Sequence, residues 1–414
     1  MPSPLALLGG KPVRTRPFPA WPVFGKAEER RLLRTLRSGR WGRLDGGQVA
    51  QFEQRFATAH GCRHGIAVAN GTVSLRIGLL AAGLPAEAEV IVPPYTFFST
   101  ASAVVEANMI PVFADIDLHT FNLAPEAVAA AITPRTRAII PVHFAGQPAD
   151  MRALMTIARK HSLLVFEDAA HAHGGGYNDR PVGSLGHLAS FSFQSSKNLT
   201  AGEGGILVTN NAKLAETCRS MQNCGRVPDG IWYEHHLIAG NYRLGEFQGA
   251  ILNSQLERLE AQTSRRDANG QYLAARLAEI PGLHPQSRPA ACTRHSYHLF
   301  MLRLEEREFG APRNTVVKAL QAEGIPCSTG YGFSLPRQPF FQRKAFGPFL
   351  PAAAARLDYR RVQCPNSDLI CGAQGVWLEQ RLLLGRRADM EDIARAFAKV
   401  FEHRATLNAW ARKT

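Results

Sequence analysis

Short apolar runs alternate with longer amphipathic stretches along the first half of the chain. The apolar runs predict strands, and the stretches with helical spacing of apolar positions predict helices. Strands are expected at residues 64–69, 89–92, 110–114, 138–142, 163–166, 189–193 and 205–209, with helices at 72–82, 97–107 and 148–160. Strands that alternate with helices form mostly parallel sheets covered on both faces. The pattern therefore predicts an α/β fold.

The second half of the chain begins with helices and then returns to an α/β rhythm. The longer of two predicted helices, at 214–223 and 244–278, carries an apolar stripe at Phe247, Ile251, Leu252, Leu256 and Leu259. Strands at 297–304 and 376–384 and helices at 315–323 and 390–402 follow Pro281. We predict an N-terminal arm at residues 1–20, a large domain at 21–270 and a smaller C-terminal α/β domain at 271–414.

Composition narrows the class of protein without indicating an activity. The chain has 414 residues, 45% hydrophobic and 20% charged, which is typical of soluble globular proteins. No apolar stretch approaches the roughly 18 residues of a membrane helix, so we expect no membrane partner. The apolar run from Leu5 to Leu8 is too short for a secretory signal, and a cytoplasmic location is expected.

Charge and cysteine content exclude two further classes. The formal charge is 48 − 34 = +14, but the basic residues are dispersed, so we expect no nucleic-acid partner. The seven cysteines are odd in number and include no C-x-x-C pair. Neither a disulfide framework nor a zinc site is predicted, and we expect no metal.

Two predicted strands end next to residues that can do chemistry. Asp168 follows an apolar run, where ligands of open α/β sheets bind, and could accept a hydrogen bond from a protonated ring nitrogen. His171 follows three residues later. Taken alone, Asp168 could equally be a helix cap or half of an ion pair.

Lys197 lies just beyond another predicted strand, in Ser192-Phe193-Gln194-Ser195-Ser196-Lys197. A partly desolvated lysine loses its proton readily and can form a Schiff base with a carbonyl. Ser192 offers a hydroxyl for a phosphate, and the glycines from Gly202 to Gly205 allow close approach of the backbone. Taken alone, a lysine in a loop is usually a solvated charge.

Two turns at the same edge of the sheet add a phosphate site and an aromatic ring. Asn70-Gly71-Thr72 joins a strand to a helix, whose free N–H groups attract anions, although an ordinary capped turn fits as well. Tyr95 could stack on a planar ring or belong to the core. A Schiff-base lysine, a carboxylate, a stacking aromatic and a phosphate site together indicate pyridoxal 5′-phosphate (PLP).

The sequence resembles the DegT/StrS-type family of fold-type I PLP-dependent aminotransferases over nearly its whole length. This family acts on keto-sugars and keto-cyclitols. The resemblance implies a large domain with a mostly parallel seven-stranded sheet and a smaller C-terminal domain. The matching segments include Phe52-Glu53, Asn70-Gly71-Thr72, Val90-Ile91-Val92-Pro93, Thr96-Phe97, Pro141-Val142-His143, Glu167-Asp168-Ala169-Ala170, Phe191-Ser192-Phe193, Gly202-Glu203-Gly204-Gly205 and Gly240-Asn241-Tyr242-Arg243-Leu244.

The resemblance also implies a role for each matching residue. Lys197 would hold PLP as a Schiff base and shuttle the proton, while Asp168 would pair with the pyridine nitrogen. His171 would contact the ring hydroxyl and Tyr95 would stack on the ring. Gly71, Thr72 and Ser192 would bind the phosphate, and Asn241 would reach the phosphate of the neighbouring subunit in a homodimer. The implied reaction is ping-pong transamination from glutamate or glutamine to a keto-substrate.

The substrate is less well defined by the sequence than the cofactor. The segments around Lys197 and Cys364-Pro365-Asn366-Ser367-Asp368 resemble glutamine:scyllo-inosose aminotransferases and 3-amino-5-hydroxybenzoate synthase. A keto-cyclitol is favoured, with a nucleotide-linked keto-sugar and an aminohydroxybenzoate precursor as alternatives. Candidate substrate contacts, each of which could instead be structural, are Trp41, Arg43, His143, Arg226, His295 and Tyr297.

Two other functional classes fit the same family pattern. A PLP-binding regulator without catalytic activity is possible within such a family, but no DNA-binding module is recognised before residue 20. A PLP-dependent dehydratase would carry His at the lysine position, which here is Lys197. Both classes predict that no amino group is transferred.

Overall fold

The computed structural model describes residues 4–228 and 230–413. The first three residues of the predicted arm and the last residue of the predicted C-terminal domain lie outside the described residues. The strands among them are β1 His64–Val68, β2 Glu89–Val92, β3 Ile110–Phe113, β4 Thr136–Ile139, β5 Leu164–Asp168, β6 Gly176–Tyr177, β7 Arg180–Pro181, β8 Leu188–Ser192, β9 Gly205–Thr209, β10 Leu283–Pro285, β11 Leu299–Leu304, β12 Cys327–Ser328 and β13 Gly375–Glu379.

The α-helices pack against both sheets. In chain order they are α1 Lys26–Ser38, α2 Gln48–Ala59, α3 Gly71–Ala81, α4 Ser99–Glu106, α5 Pro125–Ala131, α6 Met151–Lys160, α7 Ala212–Gln222, α8 Glu246–Ala278, α9 Glu306–Phe309, α10 Arg313–Ala322, α11 Pro339–Gln342, α12 Pro365–Leu369, α13 Arg387–Glu402 and α14 Arg404–Ala411.

Seven strands form the large sheet in the order β1-β9-β8-β5-β4-β2-β3. β9 pairs antiparallel with both of its neighbours, and the other pairs are parallel. The α/β fold class with a mostly parallel seven-stranded sheet is confirmed. The carboxyl ends of β1, β2, β5 and β8 therefore meet at one edge, together with the start of β9.

Two apolar layers cover the faces of this sheet. One is built by α2, α5, α6 and α8, and includes Phe52, Phe56 and Leu252. The other is built by α3, α4 and α7, with Leu75 and Val104 among its members. Each buried methylene group contributes about 0.8 kcal/mol, so these layers dominate the stability of the sheet.

A second, antiparallel sheet in the order β10-β11-β13-β12 has its own core with α10, α13 and α14. The N-terminal arm belongs to this core, because Leu5 and Phe18 are buried in it. Arg14 fixes the arm, since its Nη1 lies 2.8 Å from Asp389 Oδ1 and 2.7 Å from Asp392 Oδ2.

The structure differs from the predicted elements in several places. The run at 376–384 forms only β13 and then a 3₁₀ turn, Gln380–Leu384, in which Leu382, Leu383 and Leu384 are all buried. A turn can bury several consecutive apolar residues, and such an apolar run looks like a buried strand in the sequence. Helices α1 and α2 were not predicted. Residues 335–364, within the predicted small domain, place Phe341 and Tyr359 against the α3–α4 layer of the large sheet.

None of the described helices is both long enough and apolar enough to cross a membrane. The seven cysteines are all free, and six of them are buried.

Candidate active site

Asp168 is the last residue of β5 and is held as an oriented carboxyl group. Its Oδ2 accepts a hydrogen bond from the Thr100 hydroxyl at 2.7 Å, and its Oδ1 accepts one from the Ala170 N–H at 3.2 Å. Burial raises the pKa of Asp168, while the hydrogen bonds and the charge of Lys197 favour the ionised form. A carboxylate that is buried but incompletely paired suits a cationic ring nitrogen.

Lys197 lies in the turn that follows β8, close enough to Asp168 for the two charges to affect each other. Burial lowers the pKa of Lys197 to about 8, and the charge of Asp168 partly opposes that shift. The turn is fixed by its own backbone, since Lys197 N–H donates to the Gln194 carbonyl at 2.9 Å. Trp21 Nε1 also donates to the Ser195 carbonyl at 2.9 Å. The result is a held amine that is nucleophilic near neutral pH.

The turn from β1 into α3 packs against the end of β8. Asn70 caps α3, because its side-chain oxygen accepts the N–H of a first-turn residue at 2.9 Å. A Cβ atom on Gly71 would lie 2.7 Å from Ser192 Cβ, so only glycine allows this approach. The Thr72 and Ser99 hydroxyls lie 2.6 Å apart. Two hydroxyl side chains and the N-terminus of α3 therefore converge, as a phosphate site requires.

Tyr95 follows β2 and is enclosed by aromatic rings. It is 1% exposed, and its ring centroid lies 4.7 Å from that of Phe144 and 5.5 Å from that of Tyr331. Its hydroxyl accepts a hydrogen bond from Trp377 Nε1 at 2.9 Å. These contacts match the alternative of a buried core aromatic, and stacking of Tyr95 on the cofactor stays a prediction.

His171 and Asn241, the other two predicted cofactor contacts, lie in different environments: one is buried and the other is exposed. The His171 ring is buried 4.2 Å from the His298 ring, and burial lowers its pKa well below the usual value, so it is neutral. Asn241 is exposed, and its backbone forms an isolated antiparallel β-bridge with Asn223. The structure thus groups Asp168, Lys197 and His171 around one locus and leaves Asn241 on the surface.

Three predicted substrate contacts lie in the packed interior. His143 Nε2 lies 2.9 Å from Glu167 Oε2, and its Nδ1 accepts the Ala149 N–H at 3.0 Å. His295 Nδ1 accepts the Tyr297 N–H at 2.9 Å, and the two rings stack at 3.6 Å. None of the three is more than 5% exposed. Buried and hydrogen-bonded side chains commonly serve packing, and contact of these residues with substrate stays a prediction.

The remaining three candidates are tied to local partners. Arg43 forms an ion pair with Glu53, with Nη2 2.7 Å from Oε2, and its contact with substrate stays a prediction. Trp41 is 52% exposed and donates to a carbonyl of α1. Arg226 donates to the Trp232 carbonyl, and its guanidinium carbon lies 4.3 Å from that indole ring.

No grouping of three potential metal ligands includes Lys197 or Asp168 within residues 4–228 and 230–413. The grouping that the described residues contain is His284, Glu305 and Glu308, beside the second sheet. Arg303 already pairs with Glu305 there, with Nη1 3.2 Å from Oε2.

Sequence reasoning missed Thr100, Glu167, Tyr331 and Trp377. Thr100 lies on α4 directly after β2, so its position at the active edge could have been inferred. Glu167 is fully buried and accepts the N–H groups of Gly183, Leu185 and Gly186, which shapes the approach to β8. Tyr331 and Trp377 come from the second sheet and its loops, and no local sequence signal brings them to β2.

The family model described as the DegT/DnrJ/EryC1/StrS aminotransferase family matches residues 23–373. The chain belongs to this family. Its members are PLP-dependent aminotransferases, and the predictions of family, enzyme class and cofactor are confirmed.

Two kinds of relative match almost the whole chain. The 3-amino-5-hydroxybenzoate synthase of Amycolatopsis mediterranei is 38% identical over 92% of this chain and 96% of its own length. An L-glutamine:2-deoxy-scyllo-inosose aminotransferase of Streptoalloteichus tenebrarius is also 38% identical, over 99% of this chain and 100% of its own. Equal identity means that overall similarity does not select one substrate.

Solved structures agree with the fold. The crystal structure of 3-amino-5-hydroxybenzoic acid synthase superposes with a TM-score of 0.84 at 38% identity, covering 93% of this chain and 98% of the other. The structure of DesI in the presence of its TDP-sugar product gives 0.81 at 29% identity, covering 99% and 98%. The fold is therefore shared across relatives with different substrates.

The residues at the active edge fit PLP. Lys197 has a lowered pKa, Asp168 is buried with only neutral hydrogen-bond donors, and Gly71 leaves space beside Ser192 that a Cβ atom would fill. These are the lysine, carboxylate and phosphate sites that this cofactor needs.

Proposed function

We propose that this aminotransferase transfers an amino group from L-glutamine or L-glutamate to a keto-cyclitol. The observation that carries the proposal is the juxtaposition of the low-pKa amine of Lys197 with the buried carboxyl of Asp168 at one sheet edge. The scyllo-inosose aminotransferases among the relatives support the cyclitol and the glutamine donor. A reaction like that of 3-amino-5-hydroxybenzoate synthase is the second candidate, because that relative is equally similar.

Each residue at the active edge takes a distinct part in this proposal. Lys197 holds the cofactor covalently and moves a proton once the donor has freed its amine. Asp168 accepts a hydrogen bond from the ring nitrogen and stabilises its protonated form, and the Thr100 hydroxyl fixes the orientation of that carboxylate. His171 is neutral and faces the ring hydroxyl. PLP supplies an electron sink when it is bound.

The phosphate site is neutral in character. Gly71, Thr72 and Ser192 offer backbone N–H groups, hydroxyls and the positive end of α3. Donor and acceptor use the same site in turn, so the reaction is ping-pong, as is general for this class of enzyme. Gly71, Thr72 and Ser192 would hold the phosphate while the two substrates exchange.

We further propose a homodimer in which Asn241 contributes to the neighbouring subunit's phosphate site. Large apolar side chains exposed on one chain support it, because soluble monomers rarely leave such groups uncovered. They include Phe24, Trp41, Ile231, Tyr233 and Ile238. A cytoplasmic location is also proposed, and the seven free cysteines are consistent with a reducing compartment.

The acceptor is tested with the pyridoxamine form of the purified enzyme. We expect 2-deoxy-scyllo-inosose to regenerate the PLP absorbance within one turnover, and a nucleotide-linked 4-keto-sugar to do so at least 10-fold more slowly. Lys197→Ala protein is the control. Faster reaction with the nucleotide-linked sugar would contradict the cyclitol proposal, and formation of an aromatic amine from an aminohydroxybenzoate precursor would favour the second candidate.

A further inference from the structure

Several buried polar atoms without hydrogen-bond partners lie behind the Lys197 turn. Among the described residues they include both terminal nitrogens of Arg266, Nδ1 of His298 and Oδ1 of Asn198. Arg266 and His173 are both 0% exposed. Buried polar groups are normally hydrogen-bonded, and each exception needs an explanation.

These residues lie close to one another and to the active edge. Asn198 follows Lys197 directly and donates from Nδ2 to the Ser296 carbonyl at 2.7 Å. The charges of both Lys197 and Arg266 act on the rings of His173 and His298. These residues therefore lie in one region beside the Lys197 turn.

The site carries positive charge without a matching anion. Burial lowers the pKa values of His173 and His298 well below the usual value, so both rings are neutral. Burial also lowers the pKa of Arg266 to about 9, which leaves it charged at neutral pH, and no acidic group contributes to that pKa. Its one side-chain hydrogen bond runs from Nε to Gln380 Oε1 at 2.9 Å. A buried cation with two free ends requires an anionic or highly polar partner.

Two other arginines, Arg43 and Arg313, do not share this property. Arg43 is paired with Glu53. Arg313, which lies near Tyr95, donates to the carbonyls of Ile370, Cys371 and Gly372. Arg266 is therefore a cation near Lys197 whose two terminal nitrogens are free to bind a carboxylate.

Trp21 covers Arg266 and also contacts the lysine turn. The indole ring centroid lies 5.2 Å from the guanidinium carbon of Arg266, and Nε1 donates to the Ser195 carbonyl. Trp21 is only half-buried, and the residues at 20 and 22–24 are exposed. Displacement of the Trp21 ring would therefore expose the guanidinium of Arg266 beside the Lys197 turn.

We propose that Arg266 binds the α-carboxylate of the amino-acid donor, which reaches it when the Trp21 ring moves aside. A guanidinium fork matches a carboxylate with two parallel hydrogen bonds. The assignment rests on the proposed function and deepens it, because it separates the two substrates chemically. The donor carries this carboxylate, whereas a keto-cyclitol or amino-cyclitol carries none.

The first test compares two half-reactions of the PLP form of Arg266→Gln enzyme. We expect conversion by L-glutamine or L-glutamate to slow by about 100-fold at subsaturating donor, since a charged hydrogen-bonded pair is lost. Conversion by an amino-cyclitol such as scyllo-inosamine should change less than 3-fold. Arg265→Gln, one residue away on the exposed face of α8, is the matched control and should change neither. Equal slowing of both half-reactions would overturn the proposal.

The second test measures binding without turnover. Glutarate has carboxylates but no amino group, so we expect it to bind the PLP form in a calorimetric titration, with at least 10-fold lower affinity in Arg266→Gln. No binding to the original enzyme, or unchanged binding to the variant, would overturn the proposal. If Arg266→Gln does not fold, the Arg266→Lys variant tests the proposal instead. It keeps the charge without the fork, so donor conversion should slow several-fold more than amino-cyclitol conversion, and equal slowing would overturn the proposal.

The glutarate titration also separates this proposal from the proposed function. If no amino-cyclitol reacts with the original enzyme, the cyclitol proposal fails, whereas glutarate binding that depends on Arg266 would still support the carboxylate site. Trp21→Phe adds an optical check, because tryptophan fluorescence that glutarate perturbs in the original enzyme should no longer respond in this variant. A response that persists would contradict movement of Trp21.

Discussion

The active edge of the large sheet and the exposed segment at residues 230–238 differ in how far one chain completes them. At the active edge, Asp168 and Lys197 are held by hydrogen bonds and by dense packing. In the exposed segment, Ile231, Tyr233 and Ile238 are 76%, 82% and 103% exposed. A single chain therefore positions the predicted catalytic residues, whereas the apolar segment makes few contacts within that chain and is where the proposed dimer would cover it.

The largest effect is expected at Lys197, where a single atom is essential to the chemistry. Lys197→Ala should lower turnover by at least about 10³-fold, because it removes both the covalent attachment and the proton carrier. Single-turnover absorbance with L-glutamine measures the effect. Lys213→Ala, on the surface helix α7, serves as the control and should match the original enzyme. Turnover by Lys197→Ala within 10-fold of the original would contradict the assigned role.

The lowered pKa of Lys197 predicts a pH dependence of cofactor attachment. The neutral amine is the nucleophile, so the rate of PLP attachment to the apoenzyme should rise about tenfold per pH unit below 7 and level off above about 8. An unperturbed lysine would continue to rise towards pH 10. Stopped-flow absorbance provides the measurement, with Nα-acetyl-lysine as the reference amine. A plateau only above pH 10 would show that the amine is not desolvated.

Thr100 tests whether the carboxylate at the active edge must be oriented. Thr100→Val removes the donor that favours the ionised form of Asp168, so the pKa of Asp168 should rise further and PLP should bind about 10-fold more weakly. Thr100→Ser should restore the affinity, and Thr217→Val on the surface of α7 should leave it unchanged. An absorbance titration measures the dissociation constant. Unchanged affinity in Thr100→Val would show that burial alone orients Asp168.

The smallest effect on a single chain is expected in the exposed segment. Ile238→Asp should change the free energy of unfolding of one chain by less than about 0.5 kcal/mol, because the side chain makes few contacts within it. It should nevertheless weaken the proposed dimer, which light scattering across a dilution series would show. Gln54→Glu, on the exposed face of α2, is a control for added charge. A dimer that resists Ile238→Asp would place the interface elsewhere.

The active edge could be predicted from the sequence because each of its parts is encoded locally. Asp168, Ser192 and the Gly71-Thr72 turn each directly follow or end a strand, and parallel strands bring such residues to one edge. The long helix α8 was predicted for a similar reason, since its apolar stripe is continuous. Helix α1 was not predicted, because its apolar residues are few among the arginines, and Leu33 and Leu36 are exposed.

Contacts between residues that are far apart in sequence could not be predicted. His143, His295 and Tyr297 have buried partners that the sequence does not show, and their contact with substrate stays a prediction. The sequence also does not show that Arg266, midway along α8, lies under Trp21 from the N-terminal segment. Residues this far apart in sequence meet only after the two sheets and the arm have packed.

The sequence by itself therefore determined the α/β fold, the family and the cofactor, because strand periodicity and strand-end motifs are local properties of the chain. The tertiary structure decided which polar residues are satisfied and which are left without partners. Burial and pairing depend on all the elements packed around a residue. They alone distinguish Arg43, which is ion-paired with Glu53, from Arg266, whose two terminal nitrogens have no partner.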